Sequence, residues 1–226
     1  MGSSIFSGCS NLENVVISNG IDTVSNSMFH GCSKLINIYI PDSVTSIESE
    51  AFLECTSLTT INIPDNVIEI GESAFWDCSS LMDIHLPNQL NSIEEYAFEG
   101  CSNLKSVCIP NGITRIETET FYKCTNLESI SIPLTVVNVE YSAFDVCDKL
   151  SNIYYAGEEE QWKNIEIDNK YHRNSSFINA FIYYDCSNAE EAKLEIGRFA
   201  LGVGKTYTLS GIDGTDIIIQ AKIKIL

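Results

Sequence analysis

Residues Leu58–Cys78, LTTINIPDNVIEIGESAFWDC, decide the architecture of this 226-residue chain, because the same string recurs on both sides at a fixed period. Working outward from Phe75, phenylalanine stands at Phe6, Phe29, Phe52, Phe98, Phe121 and Phe144, each 23 residues from the next. Three residues after each phenylalanine comes a cysteine (Cys9, Cys32, Cys55, Cys78, Cys101, Cys124, Cys147), and three further on a leucine, from Leu12 to Leu150. All five prolines, Pro41, Pro64, Pro87, Pro110 and Pro133, share one repeat position, so the unit reads LxxIxIPxxVxxIxxxAFxxCxx. A period of this length marks stacked repeats that jointly bury what no single unit can bury alone.

The segment LxxIxI ends in alternating apolar residues and is closed by proline, which cannot donate to a ladder and so stops a strand. The spacing predicts one short strand per unit, stacked in parallel at about 4.8 Å per step, or roughly 29 Å over six steps. A second apolar set, Val44 and Ile47 followed by Ala51 and Phe52, must turn back to close the core, as strand or as 3₁₀ turn. The expected fold is therefore a repeat solenoid: a β-rich right-handed coil with a parallel strand sheet on one face and few or short helices.

The string from Leu58 to Cys78 resembles the BspA-like leucine-rich repeats, and the resemblance runs over about residues 2–147. Beyond it, LSNIYYAGEEEQWKNIEI and INAFIYYDC resemble the closing segment of such arrays, with Tyr155, Gly157, Trp162 and Ile165 at the matching places. The resemblance implies leucine-rich repeats over 1–147 and a C-terminal cap over 148–186. A buried Trp162 would then serve as the lid of the core. Residues 187–226 leave the register: NAEEAKLEIGRFA reads as a short helix, KTYTLSG and DIIIQAKIKIL as strands, and together as a β-rich tail or a piece of a neighbouring domain. Gly2–Phe6 aligns with Gly71–Phe75, so the chain starts inside a repeat, which predicts a fragment of a longer array.

Lysine plus arginine number 13 against 31 aspartate plus glutamate, a net charge of −18. That balance lacks the footprint of a nucleic-acid or anionic-membrane binder. No apolar run reaches the roughly 18–20 residues of a membrane span, so membrane insertion is not expected. The N-terminus MGSSIFSGCSNLEN shows no signal peptide.

Seven of the nine cysteines occupy one inward repeat position beside phenylalanine and leucine, where a free thiol acts as a small core hydrophobe. No CxxC pair or adjacent histidine gives zinc spacing, and no EF-hand or RTX pattern supplies a calcium cage, so no metal and no cofactor is expected. Of the histidines His30, His85 and His172, only His85 shares a face with a cysteine, Cys108, one repeat on. With Asp83 beside it, this trio is the one arrangement that admits a thiol-dependent enzyme; accidental neighbours on a repeat read the same way. Residues 202–205, GVGK, lack the phosphate-loop pattern and read as a turn. Glu48, Glu94, Glu117 and Glu140 form a column interrupted by Gly71, read as a solvated acidic flank.

Alternation along the strand places the non-consensus residues outward in two columns. One reads Val16, Tyr39, Asn62, His85, Cys108, Ser131, Tyr154; the other Asn14, Asn37, Thr60, Asp83, Ser106, Ser129, Asn152. This face is small, polar and almost uncharged, and its ligand-binding candidates are Tyr39, Asn62, Asp83, His85, Cys108 and Tyr154, with the tyrosines as anchors. The family resemblance implies a non-catalytic protein-binding or adhesion scaffold, microbial and extracellular or at the cell surface, contacting a host, matrix or other protein ligand. A structural spacer that displays a neighbouring domain is the alternative expectation.

Overall fold

The computed structural model describes residues 2–186 and the two strands at 207–210 and 216–219. The coil carries two strands per turn. The first set, inside LxxIxI, comprises Asn14–Val16 (β1), Asn37–Tyr39 (β3), Thr60–Asn62 (β5), Asp83–His85 (β7), Ser106–Cys108 (β9), Ser129–Ile132 (β11) and Asn152–Tyr155 (β13). The returning arm is also strand, but only two residues long: Thr23–Val24 (β2), Ser46–Ile47 (β4), Glu69–Ile70 (β6), Ser92–Ile93 (β8), Arg115–Ile116 (β10) and Asn138–Val139 (β12). Every pairing within these sets is parallel and in register at one-repeat spacing, as in Thr60 with Asp83 and Ser46 with Glu69. The result is a β-solenoid of about six turns with very little helix.

Proline explains why the first strand stops. Pro64 ends it and begins a tight turn, in which its carbonyl accepts the Val67 N–H at 3.0 Å, a bond repeated from Pro41, Pro87, Pro110 and Pro133. After the second strand the chain closes through successive i→i+3 turns, for example Ala51 N–H to Glu48 O, Cys55 N–H to Phe52 O and Leu58 N–H to Cys55 O. Two residues per turn adopt left-handed backbone. One column is Ser4, Ser27, Glu50, Ser73, Tyr96, Glu119 and Ser142; the other is Gly8, Gly31, Glu54, Asp77, Gly100, Lys123 and Val146. The second column uses glycine three times, as φ > 0 without a Cβ clash favours. At Gly71 the constraint is contact instead: a Cβ there would lie 2.6 Å from the Ser49 backbone nitrogen, and the glutamate column breaks at this position.

The core is a stack of identical rungs. Phe6, Phe29, Phe52, Phe75, Phe98, Phe121 and Phe144 lie ring on ring with centroids 5.2 to 5.5 Å apart and nearly parallel planes. From Phe29 to Phe144 they are fully buried, each stabilising its turn by roughly 2–3 kcal/mol. Beside them the cysteines are free thiols, and each Sγ from Cys32 to Cys147 donates to the carbonyl of the phenylalanine one turn back, at 3.0 to 3.3 Å. The thiol column thus packs as expected and adds a hydrogen bond that spacing did not reveal.

At the C-terminal end the pattern is completed by different chemistry. In each turn the phenylalanine N–H donates to a backbone carbonyl of the next, as Phe121 does to Ala143 O at 2.9 Å. Phe144 donates instead to the side-chain Oδ1 of Asn174, at 2.9 Å. The Nδ2 of this fully buried asparagine donates to Glu140 O and Asp168 O, at 2.8 and 2.6 Å. Phe177, in the short helix Ser175–Ile178 (α2), adds an eighth ring 4.5 Å from Phe144. Strands Glu166–Ile167 (β14) and Phe181–Tyr183 (β15) pair with β12 and β13.

Trp162 is not the buried lid that was expected. It ends a one-turn helix, Glu159–Trp162 (α1), which has no fully buried residue, and it lies partly buried against the core, edge to face with Tyr155 and tilted against Phe177, at 5.2 and 5.6 Å. The core is closed by Phe177 and Tyr155, both below 3% exposed. The expected tail strands are present as an antiparallel pair, Tyr207–Ser210 (β16) and Asp216–Ile219 (β17). The expected helix in NAEEAKLEIGRFA and the turn at GVGK lie outside the described residues.

Candidate functional site

The outward columns of the first strands are where the repeat leaves side chains free. Inward positions Ile61, Ile84, Val107, Ile130 and Ile153 are buried, so alternation drives their neighbours to the surface. Tyr39 is 55% exposed, and Asn62, Asp83, His85 and Cys108 are exposed. Asn37 Nδ2 donates to Asn14 Oδ1 at 2.9 Å, a polar rung directly across the ladder.

Hydrogen bonding divides this face into three groups: β1 with β3, β5 with β7, and β9 with β11, β13 and β15. Asn62 and His85 are register partners, and Asp83 lies two residues from His85 on the same strand, so these three are brought together. Cys108 pairs instead with Ser131 on β11. His85 and Cys108, the pair on which a thiol-dependent reaction would rest, occupy strands that belong to different groups, so no ladder register locks imidazole to thiol.

Tyr154 is not a lone anchor. It is half-buried and stacks on Tyr183 of β15, with centroids 5.3 Å apart and planes 28° apart, in the register that pairs β13 with β15. Phe181, the partner of Asn152, stands 48% exposed in the adjacent column. The face therefore ends in an aromatic group of Tyr154, Tyr183 and Phe181, of which the repeat columns gave only the first. Tyr183 escapes a search at one-repeat steps because it stands 29 residues after Tyr154 instead of 23. The alternation in FIY, with Ile182 inward, was the signal that carried it.

The acidic column is tied into the fold. Glu48 Oε2 accepts the Asn26 N–H at 2.7 Å, and Glu50 Oε2 accepts the Ser27 hydroxyl at 2.9 Å. Arg115 bridges Glu140 and Glu117, its Nη1 at 2.8 Å from the first and its Nε at 3.8 Å from the second. Burial pushes the Glu117 carboxyl above its usual range while Arg115 pulls it back.

Residues 1–79 and 45–166 match the model of the BspA type leucine rich repeat region, in six copies. Among solved structures, the T. pallidum leucine rich repeat protein is similar at 31% identity and a TM-score of 0.63, over 66% of this chain and 70% of that one. A leucine-rich repeat protein from Bacteroides ovatus is similar in fold, at 22% identity and a TM-score of 0.60, over 74% of this chain and 54% of that one. No curated protein matches. Among the described residues, no helix is long and apolar enough to cross a membrane.

Proposed function

The chain belongs to the BspA-type leucine-rich-repeat family, and from that premise we propose that it is a non-catalytic protein-binding or adhesion scaffold whose first-strand face receives the ligand. The observation that carries the reading is the chemistry of that face: on a chain of net charge −18, the two outward columns hold one carboxylate, Asp83, one imidazole, His85, and no lysine or arginine, with aromatic side chains towards both ends. Tyr39 stands on the second strand, beside the exposed Val16 of the first, and Tyr154, Tyr183 and Phe181 stand at the other end. Rigid aromatic area with small polar groups between is the composition that binds protein surfaces at low entropic cost. We place such a scaffold outside the microbial cell or on its surface, where a host, matrix or cell-surface protein is the natural ligand class.

The test is binding of the purified chain to a panel of immobilised extracellular-matrix proteins. The double substitution Tyr39→Ala with Tyr154→Ala, or Tyr183→Ala alone, reduces retained protein at least about tenfold, as loss of interface anchors does, while the melting temperature of Tyr39→Ala stays within about 2 °C. Undiminished binding by the folded variants refutes the face assignment.

A further inference from the structure

The turn edge of the coil holds a second feature that the strand face does not use. Trp76, 36% exposed, stacks on Tyr96 of the next turn with ring centroids 6.2 Å apart and planes 26° apart. Four carboxylates, Glu95 and Glu99 from its own turn and Glu72 and Glu119 from the turns on either side, place their fields on the Tyr96 phenol, which burial first raises above its usual range. A groove of about 460 Å³ opens on the same edge, lined by Gly31, Ser33, Glu54, Thr56, Asp77 and Ser79, and so begins at the residue next to Trp76.

The molecule already carries one instance of the chemistry such a setting offers. One turn beyond Glu99, the Lys123 ammonium sits 4.6 Å above the Tyr122 ring and 3.4 Å from Glu99 Oε1. A cation is therefore held between an aromatic face and a carboxylate on this edge, from within the chain. Among the described residues, the basic side chains that cover rings are Lys123 on Tyr122 and Lys170 on Tyr171, and neither covers the Trp76–Tyr96 pair. Indole presents the strongest π-face for a cation, and a planar guanidinium can stack on it while its N–H groups fork to carboxylates, which an ammonium cannot do.

We propose that Trp76 and Tyr96, with the exposed Glu72 and Glu95 around them, form a binding site for an arginine side chain of a basic protein segment, whose neighbouring residues run into the groove beside Asp77. The guanidinium stacks on the exposed indole face, and the surrounding carboxylates accept its N–H groups. The site lies on the turn edge, so it stands or falls independently of the strand face.

The probe is an acetylated, amidated tetra-arginine peptide, with the tetra-citrulline peptide as its uncharged isostere. The full chain is labelled with ¹⁵N-tryptophan; it contains two tryptophans, and the Trp76 indole signal is assigned by its loss in Trp76→Leu. Leucine stands at the equivalent Leu53, and serine at Ser27, Ser73 and Ser142 where this turn has Tyr96, so Trp76→Leu and Tyr96→Ser retain the fold. At physiological salt, tetra-arginine shifts the Trp76 signal and leaves Trp162 unmoved, and its calorimetric affinity falls at least about fivefold in each variant, the scale of a cation–π contact. Equal affinity in the parent and both variants would show bulk attraction to an acidic protein and overturn the site. So would an equal response to tetra-citrulline, or an unmoved Trp76 signal.

Discussion

Raising the pH tests the thiol column directly. Cys55, Cys78, Cys101, Cys124 and Cys147 are completely inaccessible, and each spends its S–H proton on a phenylalanine carbonyl. Burial pushes Cys55 up to about 12 and raises Cys78, Cys101 and Cys124 well above the ordinary thiol value, with charge on neighbouring thiols acting in the same direction. Cys147 is raised too, again by burial. In the unfolded chain the same thiols ionise near about 8.5. The native state therefore keeps protons that the unfolded state gives up, and stability falls with rising pH. The contribution is fully present below about pH 8.5 and is lost as pH climbs towards the native values. One unit above the unfolded pKa, each thiol costs about 1.4 kcal/mol, and five together about 7 kcal/mol. That is comparable with the whole stability of a typical domain, about 5–15 kcal/mol. Urea unfolding followed by circular dichroism, in reductant at pH 7.5, 8.5 and 9.5, should show a shallow first interval, about 2 kcal/mol for the five thiols, and a steeper second one of about 5 kcal/mol. In Cys78→Ala with Cys101→Ala, the loss between pH 8.5 and 9.5 should shrink by about two-fifths, whatever the lower starting stability. Equal stability at pH 7.5 and 9.5, or an unchanged slope in the double variant, would refute the picture of a proton-retaining column.

Two further outcomes follow from backbone geometry. Val146 is β-branched at φ 58°, in a column where glycine serves at Gly8, Gly31 and Gly100, so Val146→Gly should relieve about 1 kcal/mol net and raise the melting temperature by about 2–4 °C, whereas Gly31→Val lowers it. Removing the Asn174 side chain strands the Phe144 N–H and the Asp168 carbonyl and takes one of two donors from Glu140 O, so Asn174→Ala should cost about 3 kcal/mol and speed hydrogen exchange at the Phe144 amide before any amide of the central turns. Exchange that accelerates uniformly along the coil would deny Asn174 its local role.

The coil was legible because its core positions are chemically monotonous: phenylalanine, cysteine, leucine and proline recur at one step, and the step alone places them on shared faces. The left-handed pair in each turn was invisible for the opposite reason. Ser73, Tyr96, Glu119 and Val146 share a backbone conformation imposed by the stacking of turns, with no common side-chain chemistry to announce it. The outward columns of the candidate site could be written down from alternation, and Tyr39, Asn62, Asp83, His85 and Cys108 stand exposed as expected. What a period cannot convey is which neighbouring strands exchange hydrogen bonds. Register puts His85 and Cys108 one step apart, yet the ladder is interrupted between them. Nor can it convey contacts made by chain that has left the period, so the stack of Tyr154 on Tyr183 and the latch of Asn174 on Phe144 had to be seen in the structure.

Contacts between repeat turns link residues of nearly constant sequence separation: 22 for Phe52 N–H to Ala74 O, 23 for Thr45 N–H to Asp22 O, and 26 for the thiol bonds. Excising one whole 23-residue period from the middle of the array, or duplicating one, therefore rejoins the severed backbone and thiol bonds to groups of the same kind at the same distance along the chain. The closing asparagine makes contact with only the final turn and its own surroundings, so it cannot register how many turns precede it. Length is then a free variable of this architecture, open to change by unequal recombination without repacking, and a binding face can be extended or shortened one rung at a time while the chemistry of its ends stays constant.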